Sequence, residues 1–273
     1  MFETIITHSG LAHPDDFLSC CVLLNKYPTI ETIQRVDVVD EEKLLNYKEA
    51  IIVDIGGDYN CVRLFDHHHD PHLHCSLILI LIDKFGYDID FLLSIPEIQY
   101  IDLQDRYGVK KAQEIMNISS PLINLIEYSI LRWFSREVVI MHRNTLELLK
   151  EIGKQFLKYI DDLHKEDEKL MNSSTKLFKT KHGSIIYNPY TTFNITILNK
   201  LIPDLIGVIH QSDRDYNLIN IVQINSNPYF QPVRILQQNI TPVFIHNTGF
   251  LVVIKREDLN NIFPPFDFFV KED

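Results

Sequence analysis

Ala50-Ile51-Ile52-Val53 is an unbroken apolar run that stops at Asp54, and Gly56-Gly57 give the chain a sharp exit from its C-terminal end. A strand with no polar alternation is buried on both faces, which belongs to a parallel sheet covered by helices. The flanking segments agree. Glu3 to Thr7 is a β-rich run ending at His8-Ser9-Gly10, Pro14 stands where a first helical turn tolerates it, and Phe17 to Leu24 continue with a helical apolar pattern. Gln34 to Asp40 alternates as a strand, Glu41 to Tyr47 reads as a short helix, and Cys75 to Phe85 is a strongly apolar helix ended by Gly86. This alternation predicts an α/β fold with a mainly parallel sheet. Ligands gather at the carboxyl ends of strands in such sheets, and His8, Asp54 and Asp66 each fall at or just after one.

The same region carries an unusual density of imidazole. Seven of the twelve histidines, His8, His13, His67, His68, His69, His72 and His74, lie within the first 74 residues, interleaved with aspartates. Imidazole nitrogen with carboxylate oxygen is the ligand set of Mn, Zn or Fe rather than of Ca or Mg alone. The formal net charge of −11 argues against broad, sequence-independent duplex binding, which relies on basic surface. It does not argue against a nuclease, because bound divalent ions supply local positive charge that the formal sum leaves out.

Further bulk features narrow the class. No apolar run approaches the ~18 residues of a spanning helix, and Met1-Phe2-Glu3-Thr4 does not read as a secretion signal. The four cysteines, Cys20, Cys21, Cys61 and Cys75, contain no C-x-x-C pair and fit a reducing, cytoplasmic setting. A structural zinc site built from His69, His72, His74 and Cys75 has little spacing to support it. Pro121 to Glu166 reads as helical almost throughout, and the polar stretch Asp161 to His182 is the best linker or boundary in the chain. Beyond it, Ser184 to Tyr187, Leu205 to His210, Leu218 to Ile224 and Val243 to Ile245 are strand-like, with a helix at Phe193 to Leu201. The expectation is a catalytic domain with helical connector over residues 1–165 and a smaller α/β domain over 166–273.

His8-x4-His13-x-Asp15, then Asp54, then Asp66-His67-His68, then Asp102-x-x-Asp105 form a four-part arrangement that resembles the DHH phosphoesterase superfamily. Within it, the chain is similar to the MYG exonuclease family (melanocyte-proliferating-gene proteins). The opening motif of that family, T-H-x-G-x-F-H-x-D-E, stands here as Thr7 to Asp16, and V-D-V-G-G-x-Y stands as Val53 to Tyr59. The segments F/Y-D-H-H-Q and D-x-x-D-N-G stand as Phe65 to His69 and Asp102 to Gly108, and V-F-V-H-x-x-G-F-I-G-G-N corresponds to the stretch from Val243. Departures are Ala12 for the aromatic, Asp16 for Glu, and Val252-Val253-Ile254 for Gly-Gly-Asn after Phe250.

The resemblance implies two Mn-type ions held by His8, His13, Asp15, Asp54, His67 and Asp102, with Asp54 bridging. It implies hydroxide attack on phosphorus between the two ions. His68 would face the scissile phosphate, Asp66 would fix a ligand histidine's tautomer, and Arg106 and His246 would contact substrate, with His246 coming from the second domain across a cleft. Motif position favours Asp102 over Asp105 as the ligand, and an Arg106–Asp105 ion pair is an equal alternative to a phosphate contact. The implied activity is a 3′→5′ exonuclease on single-stranded RNA or short oligonucleotides, with no membrane and no readable protein partner. Alternatives are a phosphatase or pyrophosphatase on a small phosphorylated molecule, and a metal-dependent binding module without turnover. Tyr187, Tyr190 and Phe193 are candidates for base stacking, with core packing as their ordinary role.

Overall fold

A computed structural model describes residues 2–39, 47–119, 125–234 and 240–261. It divides into two compact units, Met1–Ile160 and Asp161–Asp273.

The first unit contains β1 (Thr4–His8), α1 (Pro14–Lys26), β2 (Thr32–Val36), β3 (Ala50–Val53) and β4 (Leu64–Phe65). Next come α2 (Ser76–Ile80, continued by a π-helical turn over Leu81–Phe85), α3 (Ile89–Ser94), α4 (Pro96–Tyr107), α5 (Val109–Met116) and α6 (Leu125–Phe134). The strand β5 (Val139–Ile140) precedes the long helix α7 (Arg143–Met171), which runs through residue 160. The sheet order is β4-β3-β1-β2-β5, and every pairing is parallel except β2 with β5. The apolar run at Ala50–Val53 forms a central strand buried throughout, and Ile5 and Ile6 of β1 are equally covered. Each such side chain contributes about 1.5–3 kcal/mol by leaving water. The parallel direction sets β1, β3 and β4 to end on the same edge, at His8, Asp54 and Asp66.

Three local readings change. Pro121 to Glu166 is interrupted by β5, whose Val138-Val139-Ile140 run is β-branched and pairs with β2, so sheet pairing prevails over a helical pattern that has no Gly or Pro between Pro121 and Gly153. The stretch expected as a linker or boundary, Asp161 to His182, begins where the two units divide, and it folds as the end of α7 followed by β6 (Lys176–Thr180) rather than as an irregular linker. Its polarity is that of a solvated helix with one inner stripe: Ile160 and Leu163 are buried, and the covered Glu166 carboxylate takes Lys169 Nζ at 2.7 Å and the Asn194 amide at 3.2 Å. The strand expected at Gln34 to Asp40 ends at Val36. The short helix expected at Glu41 to Tyr47 falls, apart from Tyr47, outside the described residues.

The second unit is built on a six-stranded sheet ordered β10-β11-β9-β8-β7-β6. After β6 come β7 (Gly183–Asn188), α8 (Ile195–Leu201), β8 (Leu205–Gln211), β9 (Leu218–Gln223), β10 (Phe244–Ile245) and β11 (Leu251–Lys255). Among the described residues of this unit, only β7 and β8 pair in parallel, with α8 as their crossover. Phe193, one of the stacking candidates, is buried in this unit's core, whereas Tyr190 is exposed. Among the described residues, no helix of the chain is long and apolar enough to cross a membrane.

Two contacts yield predictions. A Cβ added at Gly153 of α7 would stand 2.1 Å from the Cys21 carbonyl oxygen of α1, and Asn25 Nδ2 ties the same helices by donating to the Lys150 carbonyl at 2.7 Å. Gly153→Ala therefore forces α7 off α1 and costs about 1–3 kcal/mol in a urea melt. His210 is buried, its pKa is pushed down to about 4 by loss of solvent, and its Nδ1 faces the Phe193 amide at 3.4 Å. An unfolded histidine takes its proton near pH ~6.5, so this contribution is full above that pH and is lost as pH falls towards 4. His210→Gln reduces the acid loss between pH 6.5 and 4.5 by about 2 kcal/mol, read as the difference between the two proteins' melts.

Candidate metal centre

The edge where β1, β3 and β4 end is closed by the start of α1 and by one face of α4. His8 ends β1, Asp54 follows β3, and Asp66-His67-His68 follow β4. His13 caps α1, with its amide donating to Asp16 Oδ1 at 2.9 Å, and Asp15 sits in that helix's first turn. Asp102 and Asp105 lie one turn apart on α4. Asp54 has φ +55°, a left-handed conformation that Asp tolerates better than most residues and that tends to be retained at functional sites.

Three sets of side chains bring donor atoms within 4.8 Å of one another: His8, His13 and Asp54; Asp54, His67 and His68; and His13, Asp15, Asp54 and Asp105. Asp54 belongs to all three. The closest approaches are His67 Nε2 to Asp105 Oδ2 at 3.0 Å, His8 Nε2 to Asp54 Oδ2 at 3.3 Å, and His13 Nδ1 to Asp105 Oδ1 at 3.3 Å. Atoms bound ~2.1 Å from one cation stand about 3–3.5 Å apart, so these spacings are those of neighbouring ligands.

Hydrogen bonding supports the same reading. Both oxygens of the fully buried Asp15, His8 Nε2 and Asp105 Oδ2 are hidden from solvent without a hydrogen bond of proper geometry among the described residues. Buried polar atoms are rarely left so. Burial first, then Asp54, Asp105 and Asp16, drive the Asp15 carboxyl well above its usual range. Asp54 is raised by the same causes, against the pull of His8. Burial opposes the charged form of His8, but Asp16 and Asp54 outweigh it and hold its pKa up at about 10. The pocket thus attracts positive charge, and a divalent cation satisfies carboxylates and imidazoles together.

The supporting groups are equally specific. Asp66 accepts from the Gly57 amide at 2.6 Å and contacts His68 Nδ1 at 2.6 Å. Burial would raise the Asp66 carboxyl, but these bonds lower it, and Asp66 in turn holds His68 up at about 9. Arg35, buried on β2, donates to the His8 carbonyl at 2.9 Å and the Phe134 carbonyl at 2.6 Å, and stands 3.5 Å from Asp16 Oδ2. Asp16 Oδ2 in turn lies 3.2 Å from His8 Nε2.

Asp102 departs from the expected set. Its Oδ1 accepts the Cys75 amide at 2.8 Å, and its Oδ2 meets His74 Nδ1 at 3.0 Å and Arg106 Nη1 at 3.1 Å. It is Asp105 that joins His13, Asp15 and Asp54. Arg106 is also engaged: Nη2 donates to the Pro71 carbonyl at 2.8 Å and to the Tyr107 hydroxyl at 2.7 Å, so it presents no open fork, and its ion pair is with Asp102 rather than Asp105. His69 and His72 are exposed. His246 lies in the second unit, half-buried, with Nδ1 3.0 Å from Thr248 Oγ1 and its ring 4.3 Å from that of Phe250. Sequence reasoning did not single out Arg35, although a signal existed: it occupies a buried position in the alternation of β2, two residues after Ile33.

Residues 4–75 match the family model MYG1_exonuc, described as an uncharacterised protein family (UPF0160). A stretch of 117 residues, 37% of this chain, is 33% identical to the MYG1 protein of Dictyostelium discoideum. The match spans 35% of that relative's length. The family match contains His8, His13, Asp15, Asp54, His67 and His68, whereas Asp105 lies beyond it.

These positions separate two aspartates one turn apart. Asp105→Asn weakens Mn²⁺ binding more than tenfold in equilibrium dialysis, because a carboxylate inside the donor set is lost. Asp102→Asn, which keeps an acceptor for the Cys75 amide, has the smaller effect. The reverse order would place the ligand at Asp102.

Proposed function

We propose that this chain is a metal-dependent phosphodiesterase, and that its substrates are single-stranded RNA or short oligonucleotides degraded as a 3′→5′ exonuclease in the cytoplasm. The observation that carries the reading is the sharing of Asp54 by all three donor sets, which makes it a carboxylate able to bridge two ions. His8, His13, Asp15, His67 and Asp105 complete the set, and the mixture of imidazole and carboxylate favours Mn²⁺ over Mg²⁺. Similarity to a family model named for an exonuclease supports the same class.

Bound divalent ions at such a site offset phosphate charge and bring the pKa of a water molecule towards neutrality. The chain's own contribution is positioning. Asp66 keeps a proton on His68 Nδ1 and fixes the ring, whose exposed edge then donates to a phosphate oxygen. Arg35 and Asp16 fix the strand end and side chain of His8. The oxygens of Asp15 and Asp105 are buried, so their orientation costs no reorganisation when the charge of the transition state develops.

Metal-stripped protein incubated with a 5′-labelled short RNA tests the reading. The expected result is a ladder of shortened products that needs Mn²⁺, with Asp54→Asn slowing it by about 10³-fold or more, a loss of ~4 kcal/mol from the transition state. Cleavage of pyrophosphate without cleavage of RNA would select the small-phosphate alternative. Metal binding without any phosphoester cleavage would select a binding module.

A further inference from the structure

Beside the donor cluster lies a cavity of about 190 Å³, lined by His67, His68 and Asp105 together with Pro71, Arg106 and Tyr107. Ligand pockets for drug-sized molecules hold about 300–1,000 Å³, so this one suits a single flat ring and a phosphate rather than a large compound. One of its exposed walls is Tyr107, the last residue of α4, which is 48% exposed. The ring does not swing freely. Arg106 donates to its hydroxyl at 2.7 Å while the guanidinium carbon stands 4.9 Å from the ring centroid. The guanidinium is itself tied to the buried Asp102 and to the Pro71 carbonyl. An aromatic ring that a tethered cation approaches and that is half exposed is a pre-organised stacking platform.

We propose that Tyr107 stacks on the base of a nucleotide whose phosphate lies over His67, His68 and Asp105, and that Arg106 acts by holding that ring rather than by gripping phosphate. The inference rests on the phosphodiesterase reading for the identity of the phosphate, and it names the substrate class as nucleotides rather than pyrophosphate or base-free phosphoesters. Stacking on an aromatic face is tolerant of base identity, so the site selects for the presence of a base and not for its sequence. Asp102 gains a role here as well: through Arg106 it positions the platform.

A binding measurement keeps the proposal separate from turnover. Affinities of the Mn²⁺-loaded protein for adenosine 5′-monophosphate and for ribose 5-phosphate are compared by calorimetry, for wild type, Tyr107→Phe and Tyr107→Leu. Metal content is checked in each, so that a misfolded variant is recognised. The expected result is that wild type binds the nucleotide about ten- to a hundredfold more tightly than the sugar phosphate, that Tyr107→Phe keeps a smaller gap because it retains the ring but loses the hydroxyl by which Arg106 holds it, and that Tyr107→Leu closes the gap by losing affinity for the nucleotide alone. Equal wild-type affinities, a gap that survives in Tyr107→Leu, or binding of neither compound would overturn the platform. RNA cleavage persisting alongside any of those results would leave the phosphodiesterase reading standing.

Discussion

Mutual repulsion among buried carboxylates governs this site. Asp15, Asp54 and Asp105 converge with donor atoms inside 4.8 Å, and Asp15 has no solvent and no properly formed hydrogen bond among the described residues to stabilise its charge. Like charges at such separation in a covered site raise one another's energy, and a cation that joins them relieves the repulsion. Everything around the cluster serves to hold it in place. Parallel pairing brings β1, β3 and β4 to a common edge, α1 offers Asp15 from its first turn, and α4 offers Asp105 from a helix face. Arg35 is the fixed positive charge behind this arrangement, tied to the His8 carbonyl and close to Asp16.

Such a site has a thermodynamic consequence. Orphaned polar atoms and crowded acids cost stability in the metal-free chain, and an ion that bound the folded form and not the unfolded one would offset that cost. Folding and metal binding are therefore linked. The apolar packing of Ile5, Ile6, Ile51 and Ile52 beneath the edge resists collapse of the pocket. Contact at Gly153, where no side chain fits against Cys21, keeps α1 and its acidic first turn seated.

The parallel sheet and the residues at its strand ends were legible because the evidence for them is local. An apolar run ending in Asp-Ile-Gly-Gly can be read without knowing what lies beside it, and so can histidines crowded beside aspartates. The choice between Asp102 and Asp105 was not legible in the same way. Three residues apart on a helix, they face nearly the same direction, and the decision is made by neighbours remote in sequence: the Cys75 amide and His74 claim Asp102, leaving Asp105 to the cluster. Arg106 looked available for phosphate because its partners, Pro71 and Tyr107, come together only in the fold. The polar stretch from Asp161 looked like a linker or boundary; the two units divide at its first residue, but its helix was not legible because a solvated helix and a linker share a composition. A single buried stripe through Ile160, Leu163 and Glu166 separates them.

The most direct measurement is thermal unfolding of wild type and Asp15→Asn, each with metal removed and with saturating Mn²⁺. If the carboxylates are held together for a cation, the amide relieves repulsion and the variant melts above wild type without metal. With Mn²⁺ the order reverses, because wild type gains several degrees and the variant gains much less. A variant that melts below wild type by the same margin in both conditions would contradict the account, since Asp15 would then be a structural residue with no part in holding metal.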